Sequence, residues 1–239
     1  MTDVFIQQIA GEPTMSISRL SILTLCGALC AACCGSAVAG DILELQDYHA
    51  SEANTDSKGP WLGLQQADHG WRLVTVKPRF KKIPDPITKS GIRVSANISN
   101  ARMILSAPGL KPGAVTLSDE AKVVNGSIDE EFELSTLPPL GQERLMHLQG
   151  NEYHLQNREG RIYLELNGVA QYLFDYTENK EDNNAKIIWV GDLDHDGKLD
   201  FIFDASSQYN VTELRLYLSG SAAKGELLKL VAQRKATGC

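Results

Sequence analysis

Cysteine is scarce where a disulfide scaffold would need it. The chain has five, and four of them (Cys26, Cys30, Cys33 and Cys34) crowd into one short apolar stretch, leaving Cys239 alone near the other end. A domain lying beyond that stretch has no internal partner for Cys239, so disulfides are excluded as its scaffold. Basic residues are also in deficit, 23 Lys and Arg against 30 Asp and Glu, for a net charge of −7. That balance excludes a general phosphate-backbone binder, which needs a basic face. No apolar run reaches the roughly 20 residues of a membrane-spanning helix. No 20–50-residue repeat is visible. Sustained helical periodicity is missing too: residues 225–234 come nearest, yet Leu228, Leu230 and Ala232 also alternate at period two. What is present is a chain of 239 residues, 43% hydrophobic, with ample material for a core and too apolar for disorder.

The first 39 residues read as an address. Arg19 precedes an apolar run over residues 20–34, and Ala37-Val38-Ala39 puts small residues at the −3 and −1 positions of a cleavage site. Those are the parts of a secretory signal peptide. Asp3 and Glu12 put negative charge where an export signal wants positive, so Met15 is the better start and residues 1–14 read as a gene-start artefact. Cleavage after Ala39 leaves an exported domain, residues 40–239, without a transmembrane span. The alternative is a lipoprotein anchored through Cys33 or Cys34, which small residues precede. Either route makes the domain periplasmic or secreted. Cys239 lacks the base and fixed backbone a nucleophile requires, and stays either free or paired between two chains.

The exported part reads as all-β. Residues 71–76, 92–98, 131–137, 161–166 and 212–218 alternate apolar with polar, which puts one face on a core and one in water. Turn signals separate them, among them Gly150, Gly160 and Gly168, each preceded by a polar residue. Residues 144–176 therefore predict a meander of tight hairpins. The expected class is an antiparallel sandwich or irregular barrel of short strands, with a subdomain boundary near residues 136–142 where Pro138 and Pro139 fall.

One segment carries specific chemistry. Asp192, Asp194, Asp196 and Asp200 occupy positions 1, 3, 5 and 9 of a loop whose sixth residue is Gly197. Calcium is a hard ion taking six to eight oxygens, so a short chain has to wrap around it, and glycine permits the sharp turn. By the same geometry the carbonyl of Lys198 is a backbone ligand. Position 12, where an EF-hand carries a bidentate Glu, is Phe203, and the flanks (residues 187–190 and 201–203) are β-rich. Four carboxylates in nine residues repel one another, and a divalent cation reverses that penalty. All these donors come from one hairpin with no nucleophile beside them, which points to a structural ion rather than a catalytic one.

An aspartate loop closed by Asp200 between two strands resembles the calcium loop of FG-GAP/VCBS repeats, the blades of integrin-α-type β-propellers. The likeness covers residues 191–204 and implies calcium ligation by Asp192, Asp194, Asp196, Asp200 and the Lys198 carbonyl. Those families repeat the motif along a propeller. Here it occurs once, so propeller architecture and adhesion are not implied.

Other signals have plainer readings. His195 is an exposed spacer by alternation. His147 and His154 stand across a turn and read as a strand-surface pair, since no third metal ligand is evident in the spacing. Lys77, Arg79, Lys81 and Lys82 surround Phe80; such a run guards a strand edge, or docks on an anionic surface. Trp61, Trp71 and Trp189 form a sugar platform only if exposed, and the apolar neighbours of Trp189 speak for core. Asp129, Glu130, Glu131 and Glu133 read as an acidic strand face rather than a hydrolytic carboxylate pair. The expectation is an exported calcium-binding β-domain, more a binder or envelope component than an enzyme. The sequence leaves the partner unidentified, with a surface polysaccharide or an envelope protein as the classes compatible with an exported domain. The alternative is a secreted hydrolase that uses calcium as scaffold.

Overall fold

Turn chemistry sets the register of the central part of the chain. Gln149, Glu159 and Asn167 each adopt positive φ and are each followed by a glycine that does the same. Two successive positive φ values give the hairpin turn whose twist matches that of the strands on either side. The computed structural model describes residues 38, 40–53, 55, 59–67, 70–98, 100–120, 136–176 and 185–237. The leader with its four cysteines, Cys239, the acidic group at 129–133 and most of the expected strand at 131–137 lie outside the described residues.

Sixteen strands are described: β1 (Asp41–Glu44), β2 (Asp47–His49), β3 (Trp61–Ala67), β4 (Gly70–Val76), β5 (Pro78–Ile83), β6 (Gly91–Ala96), β7 (Ala101–Ser106), β8 (Gly113–Leu117), β9 (Glu143–Leu148), β10 (Asn151–Arg158), β11 (Arg161–Leu166), β12 (Val169–Asp175), β13 (Lys186–Asp192), β14 (Asp200–Asp204), β15 (Val211–Leu218) and β16 (Lys229–Thr237). Residues 225–234 form no helix; most of them belong to β16. No helix among the described residues is long and apolar enough to cross a membrane.

Nine strands make one antiparallel sheet in the order β1-β7-β3-β4-β8-β13-β14-β15-β16. It curls until its ends nearly meet. Gly40, just before β1, bridges in parallel to Ala232 of β16 and donates its amide to the Val231 carbonyl at 2.8 Å. A Cβ at Gly40 would stand 2.6 Å from the Ser106 carbonyl and 2.7 Å from that of Val231, so only glycine lets three backbones meet there. The irregular barrel, rather than the sandwich, is the form taken.

Two smaller sheets cover the barrel from outside. Strands β9–β12 form the meander, and β2-β6-β5 form a three-stranded patch. Three cores follow. Ile42, Leu64, Met103, Leu105, Ile202, Leu214 and Leu216 fill the barrel. Met146, Leu155, Phe174, Phe201, Phe203 and Tyr217 lie between meander and barrel. Leu43, Tyr48, Trp61, Val94 and Ile104 lie under the three-stranded patch. Because both faces of β14 are covered, all five of its residues are buried, and Phe201, Ile202 and Phe203 alternate between two cores rather than between core and water. Phe203 packs against Phe174, Phe201 and Tyr217 with centroids 5.0, 5.1 and 6.0 Å away.

Two surface expectations are settled by this arrangement. Trp61 and Trp189 are buried in different cores, which excludes a three-tryptophan platform. Among the described residues, strand β5, with its cations and Pro78 at its start, pairs only with β6 and stands at the edge of its sheet.

Candidate metal centre

The loop from Leu193 to Leu199 joins β13 to β14, and each of those two leucines is wholly buried. Leu193 enters the barrel core and Leu199 the core beneath the meander. The loop is pinned on both sides of the sheet, with only its polar middle at the surface. That apolar anchoring fixes where the aspartates can go.

Asp192, Asp194 and Asp200 converge. One carboxylate oxygen from each lies within 4.8 Å of the others, and Asp192 and Asp200 are buried. Asp192 ties the loop's turn together, its two oxygens accepting the amides of Asp196 (3.1 Å) and Gly197 (3.0 Å). Asp200 Oδ2 accepts the amides of Leu193 (2.6 Å) and Asp194 (3.1 Å). Its Oδ1 accepts the Ser219 amide at 2.7 Å. Asp194 Oδ2 accepts the Gly220 amide at 3.0 Å, while its Oδ1 is buried without a hydrogen-bond partner. A buried carboxylate oxygen left without a donor costs free energy unless a cation meets it. The group fits a metal.

Asp196 stands beside this triad. Its Oδ1 accepts the Lys198 amide at 2.9 Å and lies 2.9 Å from Ser219 Oγ, which is 2.8 Å from Asp200 Oδ1. The single hydroxyl proton serves only one of the two carboxylates at a time. Lys198 is exposed, with its ammonium 3.7 Å from Asp196 Oδ2. Gly197 has φ of 82°, and a Cβ there would come within 2.9 Å of Gln149 Oε1. His195 is exposed, and its Nε2 sits 2.7 Å from the Ala114 carbonyl on β8.

Four contributors lie far away in sequence. Ser219 and Gly220 come from the connection between β15 and β16, so the loop is clamped by the neighbouring hairpin. Tyr153 and Gln149 come from the meander, the tyrosine hydroxyl accepting the Leu199 amide at 3.4 Å. Spacing around the aspartates carries no sign of any of them. A Ser-Gly pair at the end of an alternating strand is the one faint signal available.

Burial and the neighbouring Asp194 charge push the Asp200 carboxyl up to about 8, against the opposing bonds from Ser219 and Leu193. Burial, then Asp196 and Asp192, raise Asp194 as well. A raised folded-state value means that the native protein holds its proton more tightly than the unfolded chain, from pH near 4 up to about 8. The associated stability is full below that window and is lost as pH rises through it. In metal-stripped protein the urea midpoint is therefore expected to fall between pH 5.5 and 7.5. His147, raised by Glu120 and then Glu152, slopes the same way. Asp200→Asn separates the two, because it should remove the larger part of the slope; an unchanged slope would assign it to the histidine.

Compared with protein-family models, curated proteins and solved structures, the chain matches none.

Proposed function

We propose that this protein is an exported calcium-binding β-domain in which the ion is structural. It acts as a binding or envelope component rather than an enzyme. The observation that carries the reading is the Asp192–Asp194–Asp200 convergence, with Asp194 Oδ1 buried and unpartnered, in a loop anchored in two cores. Calcium is favoured because every donor is an oxygen and because the loop spacing is that of a calcium turn, with Asp196 and the Lys198 carbonyl as further ligands. A structural role is supported by what the loop joins: β13, β14 and the β15–β16 connection all meet at its carboxylates. Neutralising that cluster tightens the barrel wall. Export is supported by the leader pattern in residues 15–39 and by the millimolar calcium outside cells, which matches the 10⁻⁴–10⁻³ M affinity of extracellular modules.

Calorimetric titration tests the ion directly. One calcium per chain is expected, with affinity in that range and loss of binding in Asp194→Ala. Mass measurement of the mature N-terminus tests the address: Gly40 supports cleavage, a lipid-modified Cys33 or Cys34 supports the anchored form, and an intact Met1 refutes export. Absence of calcium heat in properly folded protein would refute the metal reading.

A further inference from the structure

A second set of metal-type donors sits on the outward face of the meander, apart from the aspartate loop. Strands β9 and β10 pair so that His147 stands opposite Glu152, and His154 follows two residues later on the same face. His147 presents Nε2 to Glu152 Oε2 at 3.1 Å, and His154 presents Nε2 to Glu152 Oε1 at 3.3 Å. Each ring is held at its other nitrogen by a different carboxylate. His147 Nδ1 is 2.6 Å from Glu120 Oε1, and His154 Nδ1 is 3.1 Å from Glu143 Oε2.

This is the arrangement that metal-binding histidines take: Nδ1 fixed by a carboxylate, Nε2 turned to the ion. Zinc bonds of about 2.0–2.1 Å in a tetrahedron put neighbouring donors roughly 3.3 Å apart. Each nitrogen–oxygen separation has the length of such an edge but runs to a different oxygen of Glu152, and the three donors do not converge as the loop aspartates do. We propose that His147, Glu152 and His154 bind a divalent transition-metal ion, best suited to zinc, with Glu120 and Glu143 as positioning residues. The third ligand that sequence spacing does not reveal is Glu152, brought between the imidazoles by strand register.

The two rings meet different oxygens of Glu152, so ligation of one ion requires both half-buried imidazoles to turn toward each other about their Nδ1 contacts. The face is open, leaving the remaining position to water or to a side chain of a partner. Three carboxylates against two imidazoles call for positive charge in the cluster, and a divalent ion supplies it without protonating either ring. Imidazole nitrogen also distinguishes this site from the all-oxygen loop, since it suits zinc and not calcium.

The test is zinc titration of the full chain at pH 7.5 in excess calcium, with its thiols alkylated. One zinc per chain is expected, weakened at least tenfold in His154→Ala and in Glu152→Gln. Glu120→Gln should weaken it by roughly 10–100-fold while leaving the ligand-field spectrum of the cobalt form unchanged, as expected for a residue that only orients a ligand. Thermal midpoints show that each variant folds. Asp194→Ala should retain the zinc, so failure of the calcium reading leaves this one standing. Absence of zinc binding, or binding unaltered when both histidines are replaced by alanine, would overturn the site.

Discussion

Removing calcium from the protein is expected to lower its thermal midpoint by about 5–10 °C. The estimate starts from linkage: free ion at 100 times Kd adds about 2.7 kcal/mol to a native state that alone binds it. In a domain of 150–250 residues each kcal/mol moves the midpoint by about 2–4 °C. Asp194→Ala and Asp200→Asn should each abolish the calcium response, but through different baselines. Asp200→Asn removes a buried charge that burial and Asp194 oppose, but either orientation turns its NH2 toward backbone amides that the carboxylate accepts, so its metal-free midpoint at pH 7.5 should fall below that of the parent. Asp194→Ala loses the single bond from the Gly220 amide and relieves the crowded charge, so its metal-free midpoint should lie above that of Asp200→Asn. Equal parent midpoints in calcium and chelator would show that hydrogen bonds from Ser219, Gly220 and the loop amides are enough to hold the cluster, and that the loop works without an ion.

The aspartate convergence was legible because its parts are local: Asp192, Asp194 and Asp200, the turn glycine and the anchoring leucines all fall within nine residues. The meander was legible for the same reason, since tight turns at Gly150, Gly160 and Gly168 fix the register on either side. What sequence could not convey was everything decided by distant pairing. The apolar run Phe201-Ile202-Phe203 has no period from which to assign faces, and only the meander lying over Phe201 and Phe203 divides the three between two cores. The clamp from Ser219 and Gly220 depends on β15 lying beside β14, and the carboxylate between His147 and His154 depends on which residues face each other across β9 and β10. The spacing of seven between the histidines suggested that they face each other; the register instead sets Glu152 against His147 and Leu145 against His154. A one-residue change in pairing would have reversed every one of these faces.

Barrel closure rests on a buried ion pair, and breaking it should be the most damaging single change outside the hydrophobic cores. Asp41 at the start of β1 is 2% exposed. The guanidinium of Arg234 on β16 donates to its Oδ2 at 2.6 Å and, through Nη1, to the Glu52 carbonyl at 2.8 Å. The Gly40–Val231 backbone bond lies immediately beside it, so two polar links join the ends of the nine-stranded sheet. Arg234→Met keeps much of the aliphatic bulk but leaves the Asp41 carboxylate buried and unpaired, at a cost of about 3–5 kcal/mol. Asp41→Asn combined with Arg234→Met should recover most of that loss, because the penalty comes from the stranded charge rather than from the missing attraction. The double-mutant cycle measures this coupling. Hydrogen exchange locates it: amides of Gly40, β1 and β16 should lose protection in Arg234→Met well before those of β10 and β11, which lie at the centre of a separate sheet. A loss below about 1 kcal/mol, or uniform deprotection across both sheets, would mean that apolar packing by Ile42, Val231 and Ala232 holds the seam and that the ion pair is incidental to closure.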